Sequence, residues 1–254
     1  MTFNSVLFLF LALFIGCAHE KPTGKTEAEV LYKEALQLKE DGHYLIAIEK
    51  LNKIKSEHPY SFYATPAELL NADIYFLQES YVDASAAYLL FRDFHPRHEK
   101  IDYVIFKIAE SYYMQMPDTF DRDLASAHQA IRYYNELKQL YPTSEHIKDT
   151  NKKIDYCEEM IRQKEKYIAD FYFKTKVYQA ARFRYLDILK SFRKEDIRVH
   201  AMIRTIESSI KMSDYKSCVK FGDEFIKYLP SNYKSEMNTK IIECKKNLNK
   251  KKGA

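Results

Sequence analysis

The segment His95-Pro96-Arg97-His98-Glu99 is where this sequence comes nearest to a metal site. A zinc centre needs three or four converging ligands. Two imidazoles beside a proline fall short of that and read as a polar turn, so no metal is expected. No Gly-x-Ser-x-Gly elbow, glycine-rich phosphate loop or Cys-x-x-Cys pair is present. The acidic pairs are scattered, as on solvated helix faces. The sequence therefore predicts neither a catalytic group nor a bound cofactor. Beyond Cys17, the cysteines are Cys157, Cys218 and Cys244. Cys218 and Cys244 lie on either side of Pro230-Ser231, so an antiparallel helix pair could bring them level as a disulfide. Alternatively, Cys218 simply fills a small packing position.

Composition narrows the class further. The net charge of +4 comes from Lys245, Lys246, Lys250, Lys251 and Lys252, without which 35 basic residues face 36 acidic ones. A nucleic-acid binder carries its basic excess on a folded face, so no nucleic-acid partner is expected, and residues 249–254 read as a disordered basic tail. Five glycines argue against many tight hairpins, whereas 21 Tyr and 16 Phe can fill a sizeable core.

The N-terminal apolar run, Val6 to Ile15, is too short for a spanning helix, which takes about 20 residues. It fits the apolar core of a secretory signal. Phe14-Ile15-Gly16-Cys17 resembles the lipobox of bacterial lipoproteins, in which the cysteine becomes an acylated N-terminus. The alternative is an ordinary signal peptide with an incidental cysteine. Residues 1–16 are read as the signal and 17–27 as a lipidated linker, with a covalent lipid on Cys17 and no other cofactor. Ala18 resembles the residue found there in lipoproteins sorted to the outer membrane.

The remaining chain repeats itself. His58-Pro59, His95-Pro96, Tyr141-Pro142 and Leu229-Pro230 each end a segment with an apolar stripe at three-to-four spacing. Ala47, Leu51 and Ile54 stand before Pro59 as Ala84, Tyr88 and Phe91 stand before Pro96, and as Ala130, Tyr134 and Leu137 stand before Pro142. Further back, Ala35 and Leu38 match Ala72 and Tyr75. Small residues that let paired helices approach, large ones that fill the seam and a closing proline are the pattern of the tetratricopeptide repeat. A fourth copy runs through Ala169, Tyr172, Ala181, Tyr185 and Ile188, and a degenerate fifth through Cys218, Phe225 and Pro230. The expected fold is all-α: a tetratricopeptide superhelix, or α-solenoid, of five helix pairs over 28–248, ending in a helix near Lys234–Leu248. Two irregularities interrupt it, an insertion at Met114–Asp123 and a long charged helical stretch, Ser144–Lys166. The insertion is either a tolerated surface loop or a contact loop. In the first two units Tyr32, Leu36, Leu69 and Phe76 lie between the packing positions. They are expected to face a concave groove that takes a peptide, unless a shifted register makes them core.

His95-Pro-Arg-His-Glu-Lys-Ile-Asp-Tyr-Val-Ile-Phe106 is similar to the join between the second and third repeats of the BamD family, lipoproteins of the outer-membrane β-barrel assembly machinery. Asp121-Arg-Asp123 with Ala127, Ala130 and Tyr141-Pro-Thr-Ser144 resembles that family's third repeat, and Tyr178-Gln-Ala-Ala-Arg-Phe-Arg184 its fourth. The resemblance implies a non-catalytic scaffold, lipid-anchored on the periplasmic side of the outer membrane. Its implied partners are the periplasmic domains of the barrel protein BamA, the other lipoproteins of the complex and unfolded outer-membrane proteins. Arg184 matches the arginine that takes part in the BamA contact, and the groove suits the aromatic C-terminal segment of an unfolded barrel. The competing expectation is a repeat lipoprotein of pilus or secretin assembly.

Overall fold

In the computed structural model the described residues are 22–252, and the secretory run and Cys17 lie outside them. Eleven helices and no strands occur among the described residues: α1 (Glu27–Glu40), α2 (Tyr44–Glu57), α3 (Ala64–Leu77), α4 (Tyr81–Phe94), α5 (Ile101–Met114), α6 (Ala125–Leu140), α7 (Ile147–Lys174), α8 (Tyr178–Ser191), α9 (Glu195–Lys211), α10 (Tyr215–Phe225) and α11 (Ser231–Lys252). This is the expected all-α tetratricopeptide architecture, five helix pairs and a terminal helix. The chain divides into two compact units at Ser111/Tyr112, within α5.

In the first unit α1 packs on α2, α2 on α3 and α3 on α4. Ala35, Ala47, Ala72 and Ala84 have no solvent exposure, so each helix pair closes at its small residue, while Leu51, Ile54, Tyr88 and Phe91 fill the seam. In the second unit the same relations run through α6 to α11, with Ala130, Ala169, Ala181 and Cys218 at the small positions. The charged stretch before the fourth pair is not a separate element. It is the first half of α7, a single helix of 28 residues whose second half opens that pair.

Two kinds of turn alternate. After the second helix of a pair, proline removes a donor and ends the helix, and two short backbone bonds carry the chain into the next pair. Ser61 and Ala64 donate to His58 and Ser61, His98 and Ile101 to His95 and His98, and Ser144 and Ile147 to Tyr141 and Ser144. Inside a pair the first helix closes on one left-handed residue. Gly42 (φ 76°), Glu79 (φ 60°), Lys176 (φ 65°) and Ser213 (φ 56°) occupy that place in the first, second, fourth and fifth pairs. Around each, the next residue's N–H reaches back across the helix end, as His43 to Leu38, Ser80 to Tyr75, Val177 to Tyr172 and Asp214 to Ser209.

The third pair lacks this turn, because the insertion replaces it. The loop is fastened along α7: the Phe120 ring meets Tyr167 edge-on, Lys164 donates to the Arg122 carbonyl at 2.6 Å, and Met116 Sδ lies 3.4 Å from the buried Cys157 Sγ. At the end of the loop the Asp123 carboxylate accepts from Ala125 N–H and so favours the start of α6.

At the C-terminus Cys218 and Cys244 form a disulfide joining α10 to α11, and both are fully buried. Cys218 thus does more than fill the small packing position, since it carries the cross-link as well. Gly222 lets α11 come close, since a Cβ there would stand 2.5 Å from Ile241 Cγ1. Helix α11 continues through Lys252, into the stretch expected as a loose tail. The disulfide and a 3.0 Å bond from Lys245 to Asp223 hold it, and an already formed helix propagates at little further cost.

A left-handed residue with a side chain costs roughly 1 kcal/mol relative to glycine. Lys176→Gly relieves that cost in the folded state. Urea denaturation should show it more stable than the parent by about 0.5–1 kcal/mol, whereas an unchanged or lower midpoint would mean that Lys176 is not strained.

Candidate protein-binding surfaces

Among the described residues, each unit contains a carboxylate shared by three consecutive helices. In the first, Asp73 Oδ1 on α3 accepts from Tyr88 Oη on α4 at 2.6 Å and from Tyr103 Oη on α5 at 2.8 Å. In the second, Asp170 Oδ1 on α7 accepts from Tyr185 Oη on α8 at 2.6 Å and from His200 Nε2 on α9 at 2.7 Å. The separations are 15 and 30 residues in both. Each clamp ties the two helices of one pair to the first helix of the next. One repeat before Asp73 and Tyr88, Leu36 and Leu51 occupy the same places, and the contact there is apolar.

The clamps shift the groups that form them. Burial drives the hydroxyls of Tyr88, Tyr103 and Tyr185 well above the ordinary tyrosine range, and the adjoining carboxylates reinforce it. Burial alone would raise Asp170. The hydrogen bonds from His200, Lys166 and Tyr185 outweigh it and hold the carboxyl well below the usual aspartate range. Nearby, Lys194, Arg162 and Gln163 donate to Glu159 and depress it to about 2.

The groove residues of the first unit have unequal surroundings. Leu69 is 7 % exposed and belongs to the core. Tyr32 and Leu36 are half-buried against the cluster built on Leu31, Ala35 and Leu51. The Tyr32 ring lies 5.5 Å from that of Tyr63. Phe76 is half-buried, with the Lys107 ammonium 3.7 Å above its ring and Tyr81 edge-on beside it.

On α8, two arginines a turn apart in role lie two residues apart in sequence. Arg182 donates to Asp214 at 2.7 Å and to Ser209 at 3.1 Å, binding α8 forward to α9 and the start of α10. Arg184 has a side chain 40 % exposed, and its nearest acid is Glu165 on α7 at 3.7 Å. That distance is too long for a good hydrogen bond, so the Arg184 guanidinium keeps donors to offer elsewhere. Between them and this surface the buried Tyr185 fixes the helix face.

The histidines first considered as metal ligands belong to turns. His95 Nε2 bonds Glu68 at 2.8 Å, and His98 Nδ1 accepts from Lys100 N–H while its ring meets Phe91. Glu27, Glu57 and His58 bring possible ligand atoms within 4.8 Å of one another. Lys53 already bonds Glu27 at 2.8 Å and reaches Glu57 at 3.6 Å, which makes this an ion-pair network at a helix end.

Fold and surfaces together define a tetratricopeptide scaffold whose polar chemistry serves helix packing and whose remaining donors face outward. The chain belongs to the YfiO family, described as outer membrane lipoprotein, whose sequence model matches residues 25–217. Similar relatives are named outer membrane protein assembly factor BamD. That of Rickettsia prowazekii is 26 % identical over 219 residues, covering 85 % of this chain and 87 % of the relative. That of Caulobacter vibrioides is 25 % identical, covering 79 % and 67 %, and that of Vibrio cholerae 26 %, covering 72 % and 80 %. Among solved structures, the TPR2AB domain of yeast Sti1 in its pHSP90 complex aligns at a TM-score of 0.44 and 14 % identity, covering 87 % of this chain and 100 % of that one.

The depressed acids make stability pH-dependent. A carboxyl whose folded value lies below its unfolded value of about 4 stabilises the fold above that value and loses the contribution as pH falls through the folded one. Asp170→Asn should therefore be less stable than the parent at pH 7, by on the order of 1 kcal/mol after solvent screening. Its stability should also fall less steeply below pH 4. Parallel acid slopes in the two proteins would contradict the Asp170 clamp.

Proposed function

We propose that this protein is a lipid-anchored, non-catalytic scaffold for outer-membrane protein assembly, held on the periplasmic side of the outer membrane through acylated Cys17. Family membership over residues 25–217 carries the reading, together with the name of the relatives that match most of the chain. Both weigh against the alternative of a pilus or secretin assembly factor. The engagement of His95, His98 and His200 in packing supports a role without catalysis.

Within that reading, Arg184 presents its guanidinium to a carboxylate on a periplasmic domain of BamA. A surface pair as long as Arg184–Glu165 is worth little. A bidentate carboxylate from a partner can replace it at small cost and with better geometry. The first unit offers the site for unfolded outer-membrane proteins, with Tyr32, Leu36 and Phe76 as half-buried apolar anchors, Leu69 being core. Other lipoproteins of the complex are partners on the same reading.

Arg184→Glu should lower BamA recovery in co-purification from detergent-solubilised envelopes by tenfold or more, with an unchanged thermal midpoint. Arg182→Ala should instead destabilise the fold, by about 1–3 kcal/mol, because it leaves Asp214 without its charged donor. Full BamA recovery with Arg184→Glu would remove this contact from the account.

A further inference from the structure

The turn between α2 and α3 displays two aromatic rings that the packing of the first unit does not use. Tyr60 is 101 % exposed and Phe62 83 %. The turn that carries them is well fixed. Ser61 and Ala64 donate to the carbonyls of His58 and Ser61, and Tyr63 N–H donates to Ser61 Oγ. The Phe62 ring sits edge-on to Tyr63, 5.5 Å away, and Tyr63 lies against Tyr32. The equivalent turns after the second and third pairs have the same backbone bonds but place Arg97 and Glu99, and Thr143 and Glu145, where this one has Tyr60 and Phe62. The repeat therefore does not require aromatic tips, and of these three turns the first alone carries two.

Its position supplies the reason. Helices α1 and α2 pack antiparallel, so the end of α2 lies beside the start of α1. Glu27, the first residue of α1, bonds Lys53 at 2.8 Å and stands 3.5 Å from His58. The chain enters at the same edge, where Lys33 Nζ holds the Thr23 carbonyl at 2.9 Å. Cys17 precedes Thr23 by six residues, a reach of at most about 20 Å. A lipid on Cys17 thus lets this edge reach the bilayer more readily than the opposite one. The opposite edge, where Leu45 is 77 % exposed, is a further 14-residue helix away, about 21 Å.

We infer that the aromatic-tipped turn His58–Tyr63 rests in the interfacial zone of the membrane that holds the Cys17 lipid, as a second, non-covalent contact that orients the first unit. The inference depends on acylation of Cys17. Tyrosine and phenylalanine suit a zone that is apolar on one side and wet on the other. The two rings carry no charge, and two of the lysines near them are paired, Lys53 with Glu27 and Lys33 with Glu29. The contact therefore needs no anionic lipid and is insensitive to salt. A contact beside the acylated Cys17 adds to membrane binding and limits rotation about the tether.

The protein contains no tryptophan, so a single introduced indole reports its own surroundings. Full-length lipoprotein carrying Tyr60→Trp, or Leu45→Trp as the opposite-edge control, would be reconstituted into phosphatidylethanolamine–phosphatidylglycerol vesicles containing brominated phospholipid. Flotation and the mass of the N-terminal peptide establish anchoring. The expected result is blue-shifted emission at position 60, quenched by the brominated lipid at least threefold more than at position 45, and unchanged by 0.5 M salt. Equal quenching at the two positions in a floated, acylated protein would overturn the turn contact while leaving the anchor intact. An unacylated Cys17 would overturn both. Emission at position 60 that resists brominated lipid yet is shielded from iodide in native envelopes would assign the turn to a protein partner and overturn the membrane contact.

Discussion

One carboxylate shared by three helices is the constraint on which each unit depends. A helix hairpin can bury its seam by itself, but a repeat array also needs each hairpin to take a fixed place on the next. Asp73 and Asp170 meet that need by accepting from the second helix of their own pair and from the first helix of the following pair at the same oxygen. Tyr88 and Tyr185, which donate to them, are fully buried, so the hydrogen bond and the packing seam are parts of one contact. A half-buried carboxylate without these donors would be left poorly solvated, and both partners are therefore needed together.

The presentation of Arg184 follows from this arrangement. Tyr185, its neighbour, is held in the clamp, and Arg182 is held by Asp214 and Ser209. The α8 backbone between them is fixed on both sides, leaving Arg184 as the arginine of that turn with an exposed, loosely paired head. At the C-terminal end a different device does the same work. The degenerate fifth pair has Gly222 where the second and fourth pairs have Tyr88 and Tyr185, and it fastens α11 through a disulfide and the Ile241 contact. A cross-link takes over where the repeat has lost its large seam residue.

Much of the fold was legible in the sequence because the tetratricopeptide pattern is a packing rule. Ala47, Ala84, Ala130 and Ala181 are small because another helix touches them, and His-Pro or Tyr-Pro ends a helix for local steric reasons. Gly42 suits the left-handed conformation its turn requires, whereas Glu79, Lys176 and Ser213 adopt the same conformation against their preference. The clamps were harder to see. Their mark is an aspartate followed by tyrosine 15 residues on and tyrosine or histidine 30 on, a spacing that means something only once the hairpin geometry is known. The different roles of Arg182 and Arg184 were equally hidden, since two arginines two residues apart look alike until Asp214 is brought across from α10's start. Leu69 also depends on register, because one step around α3 separates a groove residue from a core one.

The most direct test of this account is a double-mutant cycle between Asp73 and Tyr103, using Asp73→Ala, Tyr103→Phe and the pair, each followed by urea denaturation. The cycle isolates the bond between one repeat and the next from the losses each substitution causes alone. A shared carboxylate that joins neighbouring pairs predicts a coupling energy of about 1–3 kcal/mol. A coupling within about 0.3 kcal/mol of zero would mean that the two residues are merely adjacent, and that something other than the carboxylate holds one repeat to the next.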